Sequence, residues 1–301
     1  MNRGQATRPS PSPSPSITSP AEGTVRWTEA LLPSGGHQVP VRVYRPERSL
    51  GGWLVWAHGG SWQHGSAAQW HEVTSDLARF SGHNVVGVDY RLAPAHAHPA
   101  ALLDVLAAVR WARREAVRET GTALVAVGGD SAGGTLAASA ALVLRNAGQS
   151  PAGQFLAYPP TDPGCRAPSY RAEAGAFPSA DQMRAAWHVH RGSAPVRPLP
   201  GADALYSTPL EAPDLSGAAP AYLAVGDLDP VADDVHDYAG ALRRAGVPTT
   251  LRTFPGTPHA ALLVPAAQWG PGRAHPMRQW LGRMVSARFE AVADSAPHRT
   301  Q

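Results

Sequence analysis

A serine set among glycines is the feature of this chain best suited to covalent chemistry. The run Gly129-Asp130-Ser131-Ala132-Gly133-Gly134 follows an apolar stretch over residues 123–128 and precedes an alanine-rich stretch over residues 135–145. This context predicts a strand, a sharp turn and a helix. Small neighbours let the backbone bend tightly, so the hydroxyl of Ser131 would stand exposed beyond the strand, at the positive end of the helix. The run favours a nucleophilic serine, and a helix N-cap serine is the alternative.

Three further features favour the nucleophile over the cap. A glycine-rich loop, His58-Gly59-Gly60-Ser61-Trp62, follows the predicted strand over residues 53–57, and an acidic turn with Asp229 follows the predicted strand over residues 221–226. Among the 13 histidines, His259 alone follows the last predicted strand in a loop of glycine and proline. A carboxylate and a histidine are groups with which proteins activate a serine hydroxyl.

The glycine-rich loop has a predicted role of its own. A tetrahedral intermediate carries negative charge on the former carbonyl oxygen, and a backbone N–H aimed at that point contributes about 3–4 kcal/mol. Glycines allow the backbone to come that close. The predicted oxyanion hole comprises Gly59, Gly60, Ser61 and Ala132, with the amides of the last three as donors. A plain strand-to-loop turn is the alternative.

Short apolar stretches alternate with helical patterns, and these elements must position the candidate groups. Apolar residues recur at helical spacing over Leu102–Val109, Leu136–Val143 and Val235–Leu242. The alternation predicts an α/β fold with a mostly parallel central sheet and helices on both faces. Sites in such folds lie beyond the carboxyl ends of the strands. The predicted strands cover residues 39–45, 53–57, 85–90, 123–128, 153–158, 221–226 and 249–254.

A long insertion interrupts the alternation. Residues 163–220 separate two predicted strands by more than a crossover requires, and they include an amphipathic helix over residues 179–190. Because insertions at this edge of a sheet usually cover the site, the segment is predicted to be a helical cap or lid. The chain over residues 21–295 is predicted to be one domain, between a disordered Ser/Pro-rich leader over residues 1–20 and a tail over residues 296–301.

Composition and charge exclude several classes of function. The 301 residues are 43% hydrophobic, which suits a domain with a large core, and the net charge of +3 comes with scattered arginines that predict no nucleic-acid surface. The single cysteine, Cys165, cannot form a disulfide within the chain. The pairs His96/His98 and His188/His190 lack a third ligand nearby, so no metal site is predicted. No apolar run approaches the ~20 residues that span a bilayer and no signal-peptide pattern is present, so we expect a cytoplasmic protein without membrane contact.

Six motifs occur in a fixed order on the predicted elements. They are His58-Gly59-Gly60-Ser61-Trp62, Asp89-Tyr90-Arg91-Leu92-Ala93-Pro94, the serine run over residues 129–134, Tyr158-Pro159, Asp229-Pro230 and Gly256-Thr257-Pro258-His259. In this combination the chain resembles the hormone-sensitive-lipase branch of the α/β-hydrolases, the bacterial carboxylesterases, over residues 51–265. The resemblance implies an α/β-hydrolase fold with a helical cap, an enzyme that needs no cofactor, and a triad in the chain order Ser131, Asp229, His259.

The implied mechanism assigns a role to each group of the triad. Ser131 attacks the ester carbonyl, His259 takes the serine proton and then protonates the leaving alcohol, and Asp229 holds the imidazole in the useful tautomer. Asp227 lies closer to the strand end and is the rival for Asp229, whereas Asp233 is predicted to be a helix N-cap. The Asp-Pro context favours Asp229, because a loop carboxylate needs a fixed turn to aim it.

Three positions depart from the pattern of this family. Ser61 stands in place of the third glycine of the oxyanion loop, Ala95 in place of a glutamate, and Ala260 in place of a glycine that commonly follows the histidine. Ser61 keeps its N–H, but a positive φ would strain it, and its side chain narrows the acyl side of the site. None of the three removes a catalytic group, so they bear on substrate choice more than on activity.

The predicted function is that of a serine hydrolase that cleaves carboxylic esters of short to medium acyl chain, with a small-molecule ester as partner. An arylformamidase or a biosynthetic acyl-transfer enzyme of the same fold is one alternative, and Asp130 before the serine favours the esterase. A binding-only protein, as in the plant gibberellin receptors, is another, and the presence of His259 disfavours it. Because esterases of this family often dimerise, a homodimer is a further expectation.

Candidate pocket residues follow only from position along the chain. Aromatic and apolar side chains in the loops around the site would line the acyl or alcohol pocket. They are Trp62, Trp187, Phe177, Met183, Tyr206 and Leu263, with Trp27 as a further candidate.

Overall fold

One eight-stranded sheet holds the elements that carry the candidate groups, in the order β1-β2-β4-β3-β5-β6-β7-β8. The computed structural model describes residues 24–171, 176–192, 204–269 and 274–295. The second strand runs antiparallel to both of its neighbours, and all pairs from β4 to β8 are parallel. The strands are β1 (Val25–Ser34), β2 (His37–Pro46), β3 (Trp53–Ala57), β4 (Asn84–Val88), β5 (Val125–Asp130), β6 (Gln154–Ala157), β7 (Ala221–Gly226) and β8 (Thr249–Phe254).

Helices cover both faces of this sheet. The step from β3 to β4 runs towards β1, whereas the later steps run towards β8. Because such crossovers are right-handed, the first helix lies on the opposite face from the helices of the later steps. The first helix packs on the last one, and the second packs on the third. The predicted fold class is confirmed. The helices are α1 (His71–Ser81), α2 (Ala100–Thr120), α3 (Ala132–Asn146), α4 (Ala180–Arg191), α5 (Ala232–Arg244) and α6 (Pro276–Ser295).

The four central strands form the core of the molecule. Every residue of β3, β4, β5 and β6 is buried. Strands covered on both faces read as continuous apolar runs, which is why the sequence predicts them well. The carboxyl ends of β3 and β5 lie side by side, with Ala57 paired to Gly129. The loop after β3 and the turn after β5 therefore meet.

Two elements and several strand limits differ from the sequence prediction; β5, for example, covers Val125–Asp130 and not residues 123–128. The first strand was not predicted, because most of its residues are exposed and it lacks an apolar run. In the sequence, this strand is indicated only by the Gly35-Gly36 pair. The two glycines have φ values of 53° and 91° and form the two-residue hairpin turn between β1 and β2. Helix α1 was not predicted either. The strand predicted over residues 85–90 ends at Val88, and Tyr90 leaves the sheet to donate a hydrogen bond from its hydroxyl to the His58 carbonyl.

The segment between β6 and β7 contains the predicted insertion helix. Helix α4 begins after Ser179, whose side chain accepts the Gln182 amide while the Gln182 side chain accepts the Ser179 amide. Short 3-10 turns cover Pro168–Arg171 and Pro209–Glu211. The predicted leader and tail and part of the insertion lie outside the described residues, so the domain limits stay predictions. In the described ranges, no helix is long and apolar enough to cross a membrane.

Candidate active site

Ser131 occupies the turn between β5 and α3. Its φ of 49° and ψ of −124° are strained for a residue with a side chain. A Cβ on Gly129 would lie 2.3 Å from the Gly133 carbonyl oxygen, and a Cβ on Gly133 would lie 2.1 Å from the Ala57 carbonyl oxygen. The turn thus requires glycine on both sides of the serine. Although Ser131 is the first residue before α3, its side chain makes no capping hydrogen bond, so the N-cap interpretation is wrong.

The structure brings Ser131, His259 and Asp229 into one hydrogen-bonded line. The Ser131 Oγ lies 2.9 Å from His259 Nε2, and His259 Nδ1 lies 2.9 Å from each carboxylate oxygen of Asp229. The His259 and Asp229 side chains are 4% and 0% exposed. Because an ionised carboxylate only accepts hydrogen bonds, Nδ1 carries the imidazole proton and Nε2 is free to accept from the serine hydroxyl.

The two rival carboxylates have other partners. Asp227 is exposed and accepts the Thr257 amide at 3.3 Å, so it braces the turn that precedes His259. The prediction that Asp233 is a helix N-cap is wrong: α5 begins after Val231, and the Asp233 carboxylate accepts the Ser169 amide at 2.8 Å. In the first turn of α5 its negative charge still complements the helix dipole.

Three amides are available beside the serine hydroxyl. Among the hydrogen bonds of the described residues, the backbone N–H groups of Gly60, Ser61 and Ala132 have no acceptor in the protein. Gly59 has a different part in the loop, because it lies against the Asp130 carboxylate. A Cβ on Gly59 would lie 2.6 Å from that carboxylate. Gly59 thus lets the loop approach the nucleophile turn.

Two of the three departures from the family pattern lie where the backbone is left-handed. Ser61 has a φ of 53° and Ala260 a φ of 58°. Glycine adopts this region without strain, whereas other residues do so at an energetic cost. The left-handed backbone therefore explains why the family commonly has glycine at these two positions. At Ala95 the structure offers no comparable explanation.

Asp130, which precedes the nucleophile, is a buried carboxylate. Its Oδ1 accepts the indole N–H groups of Trp56 at 3.1 Å and Trp70 at 2.9 Å. Burial raises the pKa of Asp130 to about 7, although the two indoles oppose the shift. Asp130 therefore ties the end of β5 to the end of β3 and to the segment before α1.

The predicted pocket residues divide into a packed group and an exposed group. Trp62, Trp187 and Met183 are each 1% exposed. The Trp62 ring centroid lies 4.4 Å from that of Trp187 and 4.3 Å from that of His190, on which it stacks. Trp62 and Trp187 thus join the loop after β3 to α4, and their place in the pocket, like that of Met183, stays a prediction.

The other predicted pocket residues are partly or largely exposed. Phe177 is 62% exposed, and its ring centroid lies 6.5 Å from that of His259. Leu263 is 40% exposed in the 3-10 turn that follows His259, and Tyr206 is partly buried against the core. Trp27 lies elsewhere, on the edge strand β1, with the Arg42 guanidinium 4.4 Å above its ring.

The cysteine and the histidine pairs singled out in the sequence are not arranged for catalysis or metal binding. Burial raises the pKa of the Cys165 thiol to about 11, so it is not a thiolate at neutral pH. His98 and His190, one from each histidine pair, meet with ring centroids 5.4 Å apart. Over the residues that the structure describes, no group of three or more His, Cys, Asp or Glu side chains could hold a metal ion.

Three residues around His259 were not predicted from sequence. The Tyr158 ring stands edge-on to the imidazole with centroids 4.9 Å apart, and His275 and Arg278 bind the backbone after His259. The Tyr158-Pro159 motif after β6 is a signal for the first. No local sequence pattern indicates His275 or Arg278, because His275 lies just before α6 and Arg278 lies within it, beyond the last strand.

Comparison with known proteins gives the same fold. A family model described as the α/β hydrolase fold matches residues 54–263. The chain is 37% identical to the carboxylic ester hydrolase LipN of Mycobacterium tuberculosis over 246 residues, which is 78% of this chain and 64% of LipN. It is 33% identical to an ethyl acetate hydrolase of Pseudomonas putida, over 76% of this chain and 73% of that protein.

A solved structure agrees over a larger share of the chain. The structure of a bacterial heroin esterase matches with a TM-score of 0.75 and 32% identity, over 87% of this chain and 84% of that one. The family model itself covers both halves of the candidate site, because it begins before the loop after β3 and extends past His259.

Proposed function

The chain belongs to the α/β-hydrolase fold family, among its carboxylesterases related to hormone-sensitive lipase, and from this premise we propose that it hydrolyses esters of short to medium acyl chain through Ser131, His259 and Asp229. The observation that carries the proposal is the line of hydrogen bonds of 2.9 Å from Ser131 Oγ through the imidazole to the Asp229 carboxylate. This is the geometry in which a neutral imidazole deprotonates a serine hydroxyl.

The acylation step follows from that line. Ser131 Oγ attacks the carbonyl carbon while its proton passes to His259 Nε2. The new oxyanion lies towards the free amides of Gly60, Ser61 and Ala132, each of which contributes about 3–4 kcal/mol to the transition state. The intermediate then expels the alkoxide, and the imidazolium protonates it, so that an alcohol leaves and the acyl group stays on Ser131.

Deacylation repeats the same steps with water. His259 Nε2 takes a proton from water, and the resulting hydroxide attacks the acyl carbon. The second oxyanion collapses, the carboxylic acid leaves, and Ser131 Oγ regains its proton from His259. Asp229 keeps Nδ1 protonated throughout and stabilises the imidazolium in both halves of the reaction.

Esters of short acids are the substrate class that we propose within this chemistry. One relative is an ethyl acetate hydrolase by name. In this chain Ser61 adds a side chain to the oxyanion loop, which narrows the acyl side, and the exposed Phe177 ring beside His259 offers an apolar contact. The relatives compared are ester hydrolases, so the formamidase, acyl-transfer and binding-only alternatives are not favoured.

The test is a panel of p-nitrophenyl esters from acetate to palmitate, with formylkynurenine as the formamide probe. We expect the highest kcat/KM on acetate or butyrate. If palmitate were the best substrate, the short-acyl proposal would be wrong. If only formylkynurenine were cleaved, the enzyme would be a formamide hydrolase and not an esterase. In parallel, an organophosphate should add mass to the wild type and none to Ser131→Ala. Labelling that persists in the variant would remove Ser131 as the nucleophile.

Two expectations about the setting of the enzyme stay predictions. A homodimer is checked by light scattering on a sizing column, and a cytoplasmic location by fractionation of the source cells. Neither outcome alters the chemistry proposed for Ser131.

A further inference from the structure

The loop that carries His259 has little backbone structure of its own. Ala260 is left-handed, a single 3-10 turn covers Ala261–Leu263, and the chain is extended again at Val264. Within this turn the Leu263 amide donates to the Ala260 carbonyl at 2.9 Å. Such a short turn does not fix the direction of an imidazole by itself, because 3-10 hydrogen bonds have poor geometry.

Arg278 on α6 binds the carbonyl groups of this turn. Its Nε donates to the Leu262 carbonyl at 2.8 Å, and one terminal NH2 donates to the Leu262 carbonyl and, at 3.3 Å, to the Val264 carbonyl. The other terminal nitrogen donates to Asp76 Oδ2 at 3.0 Å. The residue is 1% exposed. The planar guanidinium thus spans two carbonyls of the loop and one carboxylate on α1, which an ammonium cannot do.

Two other side chains complete the hold on this turn. His275 Nε2 donates to the Ala261 carbonyl at 2.7 Å, and its Nδ1 accepts the Arg278 amide at 3.3 Å. From the opposite side, the Tyr158 hydroxyl accepts the Leu262 amide at 3.1 Å. Backbone groups of Ala261, Leu262 and Val264 are therefore bound by side chains that follow β6 or lie at the start of α6.

Stability alone gives a weak reason for this arrangement. Burying a guanidinium is costly, and replacing a buried ion by an apolar side chain is often neutral or stabilising. Asp76 lies within 3.0 Å, whereas Glu72, at 3.5 Å, is 69% exposed and screened by solvent. The guanidinium fixes the orientation of the two carbonyl groups, which an apolar side chain cannot do.

We propose that Arg278 is a positioning residue for the reaction: it fixes the turn after His259 so that Nε2 stays within hydrogen-bond reach of Ser131 while Nδ1 stays on Asp229. The proposal rests on the proposed function of these three groups. A displacement of about 1 Å at a reacting group can lower the rate about 100-fold. Loss of the guanidinium should therefore act on kcat and leave substrate binding unchanged.

The test compares Arg278→Met with Arg288→Met. Both arginines lie on α6, and Arg288 Nε donates to the Ala152 carbonyl at 2.6 Å, away from the loop. We expect Arg278→Met to lower kcat about 10- to 100-fold with KM within about twofold. Arg288→Met should leave both constants within about twofold of the wild type.

A conservative variant and an opposing contact separate positioning from folding. Arg278→Lys keeps the charge and can reach one carbonyl, so its kcat should lie between those of the wild type and Arg278→Met. Tyr158→Phe removes the bond to the Leu262 amide and should lower kcat in the same way. Melting temperatures by circular dichroism and the fraction of Ser131 labelled at completion give the folded amount of each variant. Should Arg278→Met fail to fold, Arg278→Lys and Tyr158→Phe decide the question.

Three results would overturn the inference. One is a folded Arg278→Met with unchanged kcat. The second is a rise in KM at constant kcat, and the third is an equal loss of activity in Arg278→Met and Arg288→Met. Failure of the proposed function is a separate observation, in which the wild type hydrolyses no ester. In that case the rate of organophosphate labelling of Ser131, which also needs His259, is compared between the wild type and Arg278→Met, and a wild type that is not labelled overturns both proposals.

Discussion

The serine side and the histidine side of the site are built by different means. The serine side comprises residues 57–62 and 129–134, and the histidine side comprises residues 226–231 and 256–264. On the serine side, backbone approaches backbone so closely that a Cβ on Gly133 would lie 2.1 Å from a carbonyl oxygen. On the histidine side the backbone also comes close, since a Cβ on Gly226 would lie 1.7 Å from the Thr257 carbonyl oxygen, but the turn after His259 is held by side chains such as Arg278 from another helix. A site can thus be positioned by local sterics or by distant hydrogen bonds.

The largest effect that tests this comparison is expected on the histidine side, at the acid. Asp229→Asn keeps the shape of the side chain but lets Nδ1 accept a hydrogen bond, so the imidazole adopts the wrong tautomer. We expect kcat to fall about 10⁴-fold with the fold intact. Steady-state kinetics on p-nitrophenyl acetate measures the loss.

Asp227→Asn is the matched control for that substitution. Asp227 is two residues away, is exposed and accepts the Thr257 amide, a bond that an asparagine oxygen also accepts. We expect kcat to change less than about threefold, since the group touches no reacting atom. If Asp227→Asn lost as much activity as Asp229→Asn, the assignment of the acid would be wrong.

On the serine side, the next largest effect is on stability. In Gly133→Ala the new methyl group meets the carbonyl oxygens of Ala57 and His58 at 2.1 and 2.3 Å. Because neither the strand end nor the turn can move freely, we expect the free energy of unfolding to fall by about 3 kcal/mol or more. Urea unfolding followed by tryptophan fluorescence measures the change.

Gly87→Ala supplies the comparison within the same sheet. A Cβ on Gly87 would lie 3.5 Å from the Ala67 Cβ and from the Thr74 methyl group, which is ordinary contact. We expect its free energy of unfolding to stay within about 1 kcal/mol of the wild type. Equal losses in the two variants would show that the close contacts around Gly133 are not what the turn depends on.

A third effect, smaller and dependent on pH, concerns Asp130. Burial raises its pKa to about 7 in the folded protein, well above its value in the unfolded chain. Between the two values the folded state binds more protons than the unfolded state, so stability falls as pH rises from about 4 to about 7. In Asp130→Asn this titration is absent. We expect the unfolding free energy of Asp130→Asn relative to the wild type to increase from pH 4 to pH 7 and then level off.

Urea unfolding at half-unit steps of pH tests the Asp130 prediction. The control is Asp233→Asn, whose side chain is partly exposed and accepts only the Ser169 amide in the described residues. A constant difference between Asp130→Asn and the wild type across this range would mean that Asp130 is not a buried titrating group.

What the sequence predicts follows the same division between the two sides. The limits of β3, β7 and β8 agree with prediction, because each is a short run of apolar or threonine-rich sequence bounded by loops. The glycines around Ser131 are likewise visible as a local pattern. The side-chain contacts that hold the turn after His259 are not, because Tyr158 lies 104 residues before Leu262, and His275 and Arg278 follow the turn without a local motif. The packing of Trp62 against Trp187 on α4 is likewise not predicted, because it is a tertiary contact between residues far apart in the chain.

The smallest predicted effect concerns the two left-handed residues, one on each side of the site. Ala260→Gly removes about 1 kcal/mol of backbone strain from the folded state. It also stabilises the unfolded state by about 0.5–1 kcal/mol, because glycine has more conformational freedom there, so the free energy of unfolding should change by less than about 1 kcal/mol. Because the side chains of Tyr158, His275 and Arg278 hold the turn, kcat should also stay within about threefold. Ser61→Gly should have the same small effect on stability, but it widens the acyl side and should raise kcat/KM for p-nitrophenyl octanoate relative to acetate. If instead Ala260→Gly lowered kcat as much as Arg278→Met, the local backbone of Ala260 would direct His259, and the difference between the two sides would disappear.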